Sequence, residues 1–194
     1  AIDLDVPFAY ATNGVELIEK DMIQGINRRM KIDDFPGPNE LWSRYLKEKG
    51  FNDEQEAIIA YPYYETIGGK KPRYYQRIAI NRAVEHIAKG NRRALLVMAT
   101  GTGKTRTILG MVYRFLKTNR FRRILFLVDR TALGEQAQDV FNDVKLEDLQ
   151  PLNKIYNINT LDDIDLASET RIQVATVQGM VARIMSEDKE RIPS

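Results

Sequence analysis

Hydrophobic patterning changes character near residue 73. Upstream of it, apolar positions come in short runs. Val6 to Ala11 and Val15 to Lys20 read as two strands, and Asn13-Gly14 between them is a hairpin signal. Asp33-Asp34-Phe35-Pro36-Gly37-Pro38 is turn chemistry. A helix starting at Pro38 or Asn39 carries Leu41, Trp42, Tyr45 and Leu46 on one face, and Lys49-Gly50 ends it. Trp42 reads as an anchor of this small unit. Residues 61–72, from Tyr61-Pro62-Tyr63-Tyr64 to Gly68-Gly69-Lys70-Lys71-Pro72, read as a linker. Its tyrosines have the faces to stack on bases. Packing onto the next domain is the plainer reading.

Downstream, helical and strand periods alternate. A helix over about 73–89 places Ile80, Ala83, Val84 and Ile87 on one face, with the single histidine, His86, on its surface. A strand follows at 94–98, then a glycine loop. A helix over about 104–118 spaces Ile108, Met111, Val112, Phe115 and Leu116 as one stripe. Ile124 to Val128 is a second buried strand, with a helix over about 132–142 after it. Ile172 to Ala175 is a third strand, before a helix from about 178 to 186. Apolar strands separated by helices predict an α/β fold. Its core is a parallel sheet with helices on both faces and right-handed crossovers, preceded by a small α+β segment. Ligands of such sheets bind at the carboxyl ends of the strands.

The chemistry sits at one of those ends. Met98-Ala99-Thr100-Gly101-Thr102-Gly103-Lys104-Thr105 joins the apolar run Ala94-Leu95-Leu96-Val97 to the next helix. Strand, glycine loop ending in Lys-Thr, then helix is the Walker A context for a nucleoside triphosphate. Gly101 and Gly103 let backbone N–H groups turn toward phosphate oxygens. The helix start adds unpaired N–H groups and the positive end of its dipole. Lys104 reaches the β- and γ-phosphates, and the Thr105 hydroxyl is the expected Mg²⁺ ligand. Thr100, Gly101, Thr102, Gly103, Lys104, Thr105 and Arg106 are the candidate nucleotide-binding residues. Lys104 and Thr105 are the candidates nearest the reacting phosphate. The full pattern wants Gly five residues before Gly103, where this chain has Met98. A glycine-rich turn that binds nothing would leave the adjoining Lys-Thr without a purpose.

Composition narrows the class. The chain has 194 residues and is 43% hydrophobic, enough for a core, and no run approaches ~20 apolar residues as a membrane span requires. The start, Ala1-Ile2-Asp3-Leu4-Asp5, lacks the pattern of a signal peptide. With no cysteine there are no disulfides and no cysteine metal sites, consistent with a cytoplasmic protein. The net charge of +2 conceals an asymmetry. Residues 1–65 carry 7 basic and 13 acidic side chains, residues 66–130 carry 16 and 2, and residues 131–194 carry 6 and 12. The +14 middle segment holds the phosphate loop and favours a nucleic-acid partner.

Four stretches together resemble the restriction (motor) subunit of type I restriction–modification enzymes. They are Ala9-Tyr10-Ala11-Thr12-Asn13-Gly14; Phe35-Pro36-Gly37-Pro38-Asn39-Glu40-Leu41-Trp42; Arg73-Tyr74-Tyr75-Gln76 with Ala94 to Thr107; and Ile124 to Gln136. The Ala-Thr-Gly-Thr-Gly-Lys-Thr loop is similar to that of superfamily-two helicases and translocases. The resemblance implies an ATP- and Mg²⁺-dependent hydrolase with two RecA-like domains. That enzyme translocates double-stranded DNA and cleaves it through a nuclease domain, in a complex with modification and specificity subunits.

Residue by residue, the resemblance implies that Gln76, in a Q-motif-like stretch, bonds the adenine edge. Arg130 would touch the DNA backbone, or else pair with Asp129 or Glu135. Thr176 and Gln178 would also contact DNA, unless Thr176 caps the following helix. It further implies that residues 1–60 are the tail of an upstream nuclease-like domain and that residues 73–194 begin the first RecA-like domain. The family's metal-holding Asp-Glu motif is not found after Gln178, where Glu187-Asp188 lies in a charged helix end. No nuclease triad is found in residues 1–72. The chain therefore reads as a piece of a larger subunit. A non-hydrolysing nucleotide-binding regulatory module, or another superfamily-two helicase, is the alternative.

Overall fold

The computed structural model describes residues 6–62, 72–129, 157–160 and 170–185. The chain divides into two compact units. One comprises Ala1–Ala60 with Tyr74–Leu95, the other Tyr61–Arg73 with Leu96–Ser194.

The first unit opens with an antiparallel sheet of β1 (Phe8–Thr12), β2 (Glu16–Asp21) and β3 (Ile26–Lys31), in that spatial order. The Asn-Gly signal works, one residue late. Asn13 N–H bonds the Glu16 carbonyl at 3.3 Å around Gly14, whose φ is +90°. The Asn13 side chain accepts the N–H groups of Val15 and Glu16. α1 (Pro38–Lys49) starts with Pro in its first turn and stops at Gly50, which takes the left-handed conformation. α2 (Asp53–Ile59) is short and carries a full capping box between Asn52 and Gln55. It packs on α3 (Tyr74–Ala88), where Gln55 Nε2 donates to the Ala88 carbonyl at 3.1 Å. Ile58, Ile59, Ile80, Ala83, Val84 and Ala88 form the apolar interior here. Trp42 is half-buried, stacks on Tyr45, and donates Nε1–H to Glu56 at 2.6 Å. His86 is exposed on α3, with Nε2 3.0 Å from the Arg93 carbonyl.

The second unit is a parallel sheet covered by α4 (Lys104–Lys117). Its strands β4 (Ile124–Val128), β5 (Asn157–Thr160) and β6 (Thr170–Thr176) lie in the order β4-β6-β5. β4 and β6 pair in register from Ile124↔Ile172 to Val128↔Thr176. A last helix, α5 (Val177–Ile184), leaves the end of β6. Leu109, Val112, Tyr113 and Leu116 of α4 bury against Ile172 and Val174 of β6, with Ile108, Ile124, Phe126 and Tyr61 packed around them. Tyr61 thus packs edge-on against Tyr113, with centroids 6.2 Å apart. The architecture is the mixed α/β, RecA-like one expected.

One predicted strand is absent. Residues 94–98 run without any ladder, and Leu95 and Val97 are 88% and 87% exposed. A strand needs a neighbour, and the three parallel strands pair only with one another among the described residues. The predicted helix over 132–142 lies outside those residues.

Candidate phosphate-binding site

The glycine loop belongs to the second unit and adopts the geometry its sequence demands. Gly101 has φ +79° and Gly103 φ +82°, a left-handed region that L side chains enter only with strain. Between them, Thr102 folds back on Ala99. Its Oγ1 donates to the Ala99 carbonyl at 2.6 Å and its N–H to the same oxygen at 3.4 Å. Gly103 then caps α4. Its carbonyl accepts Thr107 N–H at 3.0 Å and Thr107 Oγ1 at 3.1 Å. Thr107 is 1% exposed, so this buried hydroxyl braces the loop from beneath. The sequence pattern did not single it out.

The start of α4 is open to an anion. No side chain caps it and no acid sits in its first turn, so its leading N–H groups and dipole are not neutralised locally. A Cβ built on Gly101 would meet nothing within 4 Å. Lys104 is exposed and arches back over the loop, with Nζ 3.3 Å from both the Met98 and the Ala99 carbonyls. A positive charge is thus held at the loop by two backbone carbonyls, beside the uncapped start of α4. Thr105 is half-buried beside it, while Thr100 and Arg106 are exposed. The arrangement suits a polyphosphate. One hydroxyl ligand from Thr105 is also in keeping with Mg²⁺, which takes few protein ligands and completes its shell with phosphate and water. No group of three or more His, Asp or Glu able to hold a metal occurs among the described residues.

The remaining candidates are spread over both units. In the second unit, Val128 and Thr176 end the paired strands side by side. Thr176 Oγ1 accepts Gly179 N–H at 3.0 Å, so it caps α5, and Gln178 is exposed one residue into that helix. Asp129 follows β4 on the same edge, and Arg130 lies outside the described residues. In the first unit, Gln76 is 6% exposed. It sits on the buried stripe of α3 that continues through Ile80, Ala83, Val84 and Ala88.

The first unit also hides a charged cluster that its sequence did not announce. Glu19 and Asp21, alternating with exposed Ile18 and Lys20 along β2, are both 0% exposed. Glu19 accepts from Arg44 at 2.7 and 2.8 Å, from Arg28 at 2.5 Å, and from the Tyr10 hydroxyl at 2.5 Å. The Arg44 hydrogen bonds, opposed by burial and aided by Tyr10 and Arg28, hold its carboxyl at about 2. Burial and the neighbouring Glu19 push the Tyr10 phenol up to about 12. Burial, and then the Asp21 charge, raise Glu48 above the usual carboxylate range.

Residues 69–193 match the family described as type III restriction enzyme, res subunit. The chain belongs to that family. It is 44% identical over 140 residues, 70% of its length, to the type I restriction enzyme EcoAI endonuclease subunit of Escherichia coli. It is 36% identical over 194 residues, 95% of its length, to the EcoKI endonuclease subunit of E. coli strain K12. It covers only 17% and 16% of those two proteins. A solved fragment assigned as the HsdR subunit of a type I restriction enzyme from Vibrio vulnificus YJ016 matches over 94% of this chain and 31% of that one. The TM-score is 0.72 at 29% identity. The resemblance to type I restriction subunits read from the four sequence stretches is therefore borne out. No helix among the described residues is long and apolar enough to cross a membrane.

Proposed function

We propose that this chain is the ATP-binding part of a DNA-translocating, DNA-cleaving subunit of a type I restriction endonuclease, a hydrolase working in the cytoplasm. The loop carries the reading. Gly101 and Gly103 hold positive φ, α4 presents an uncapped first turn, and Lys104 arches above both. Thr100 to Arg106 cradle the phosphates of ATP, with Lys104 on the β- and γ-oxygens and Thr105 on the Mg²⁺ that the nucleotide brings. When bound, that ion neutralises charge on the phosphates. Gln76 reads the adenine edge.

Arg130, Thr176 and Gln178 meet the backbone of double-stranded DNA at the carboxyl edge of the sheet. Modification and specificity subunits complete the assembly, and site recognition belongs to them. Residues 1–60 form the tail of a nuclease-like domain, residues 61–72 the linker, and residues 73–194 the start of the first RecA-like domain. Turnover needs an acidic metal motif and a second RecA-like domain. An arginine finger alone is worth ~10³–10⁵ in rate.

Calorimetric titration of the chain with ATP and Mg²⁺ tests this. Binding without appreciable turnover is expected. A charged hydrogen bond is worth about 1.5–3 kcal/mol, so Lys104→Ala weakens binding roughly 10- to 150-fold. Its melting temperature stays unchanged, because the side chain is exposed. Equal affinity of the variant for ATP removes Lys104 from the site and the reading with it.

A further inference from the structure

Gly103 is an unusual residue on which to start a helix. An N-cap ordinarily takes an extended conformation, and its own side-chain oxygen fixes the first turn. Gly103 has no side chain to do so and sits in the left-handed region, with φ +82° and ψ +41°. Glycine is also the residue whose backbone is least restrained. The restraint has to come from elsewhere, and α4 supplies it. The Gly103 carbonyl accepts Thr107 N–H at 3.0 Å, the first bond of the helix ladder, and Thr107 Oγ1 at 3.1 Å.

The second of these bonds is what the side chain adds. Thr107 is 1% exposed and belongs with Leu109 and Val112 to the buried residues of α4. A buried hydroxyl costs free energy unless it is bonded, and valine has nearly the same shape without that need. The partner of this hydroxyl is the Gly103 carbonyl. That oxygen belongs to the Gly103–Lys104 peptide. The unit is planar and trans, so its C=O and the Lys104 N–H point in opposite directions. Holding the oxygen into the helix therefore aims the Lys104 N–H out of the helix start, where the uncapped, acid-free first turn receives an anion. An equivalent bond at the far end of α4 has no such leverage. Thr118 Oγ1 donates to the Arg114 carbonyl at 2.8 Å, also four residues back. It closes the 14-residue helix about 20 Å from the loop, so it serves stability alone.

We propose that Thr107 is a positioning residue for nucleotide binding: its buried hydroxyl orients the Gly103–Lys104 peptide so that the Lys104 N–H meets a phosphate oxygen. The proposal rests on the ATP-binding reading above and deepens it, by moving part of the site's construction one turn into the helix.

Calorimetric titration of the 194-residue chain with ATP and Mg²⁺ tests it in three variants. Thr107→Val removes the hydroxyl and keeps the shape. Loss of one neutral hydrogen bond weakens ATP binding about 2- to 12-fold. Thr107 N–H still holds the Gly103 carbonyl, so the melting temperature falls by no more than about 4 °C. Thr107→Ser restores the hydroxyl and the affinity. Thr118→Val lowers the melting temperature and leaves the affinity alone. Proton–nitrogen correlation NMR of the parent needs no variant: its Lys104 amide resonance moves when ATP is added.

Parent affinity in Thr107→Val overturns the proposal. So does a Thr107→Ser protein as weak as Thr107→Val, which assigns the effect to the methyl group. An equal loss of affinity in Thr118→Val assigns it to helix stability in general and overturns the proposal too. A Lys104 amide that ignores bound ATP does so even where a variant fails to fold. A parent that binds no ATP overturns the ATP reading itself. A parent that binds ATP, with Thr107→Val matching it, overturns this proposal alone.

Discussion

Glu19→Gln is the sharpest test of the first unit, because it keeps the size of a buried side chain and removes its charge. Glu19 is 0% exposed and is held at about 2 rather than 4.5, first by the hydrogen bonds of Arg44. A carboxylate whose value falls that far on folding contributes roughly 3 kcal/mol at neutral pH. The folded value lies below the unfolded one. The contribution is therefore complete above about pH 4.5 and drains away as the pH falls toward 2. In the variant, an amide NH₂ faces guanidinium donors, and Arg28 and Arg44 keep charge that Glu19 had balanced. Removing one partner of a buried pair costs about 3–5 kcal/mol. Because Arg28 and Arg44 remain 35% and 23% exposed, water recovers part of that, and about 2–4 kcal/mol is the expectation here. Trp42 is the only tryptophan and belongs to the same unit, so its fluorescence in urea follows this unit specifically. The expected result is a low urea midpoint for Glu19→Gln at pH 7, with a shallower fall than the parent between pH 5 and pH 3. Parallel pH profiles for the two proteins, or an unchanged midpoint at pH 7, would refute the account of this cluster.

Two further substitutions probe the second unit. Gly101→Ala has room for its Cβ but must hold φ +79°, so the fold loses about 1–2 kcal/mol. ATP affinity falls further than that, because the methyl projects where a phosphate approaches; calorimetry showing unaltered affinity would mean phosphates do not approach Gly101. Thr176→Ala removes the hydroxyl that accepts Gly179 N–H and lowers stability by about 0.5–2 kcal/mol, while Thr176→Ser restores it. Identical thermal melts for all three proteins would mean the cap contributes nothing.

What the sequence disclosed depended on how local the cause was. The hairpin, α1, α3, α4 and β4 were legible because their signals are local: an Asn-Gly turn, a Pro start with a Gly stop, and apolar stripes of helical period. β3 escaped because Ile26-Asn27-Arg28-Arg29-Met30-Lys31 shows no clean alternation; its place is set by β2, with Glu19 opposite Arg28. Along β2 the ordinary inside-outside rule is inverted, with Glu19 and Asp21 buried and Ile18 45% exposed. Arginines arriving from β3 and α1, the Tyr10 hydroxyl, and the Ile23 and Gln24 N–H groups make that tolerable. The four residues of β5 are too few to show a period. Conversely, Ala94 to Met98 reads as a strand yet pairs with no strand among the described residues, since pairing is a property of neighbours and not of the run. At the site, the glycines, Lys104 and the uncapped helix start followed from the motif, whereas Thr107 emerged only from packing.

Two strongly apolar runs, Ala94–Met98 and Ile124–Val128, carry a hazard that has nothing to do with ligands. Neither contains a proline or a charge, Leu95, Val97, Leu125 and Leu127 are exposed, and β4 is an edge among the described strands. Such windows invite copies of themselves to stack in cross-β fashion. Each is immediately preceded by two arginines, Arg92-Arg93 and Arg122-Arg123. In a parallel, in-register stack those pairs would pile like charges at each rung, so they act as gatekeepers against self-assembly. The protection is purely electrostatic and weakens with salt. Concentrated chains at high ionic strength, or with those arginines neutralised by a polyanion, are therefore the conditions under which this protein should leave solution.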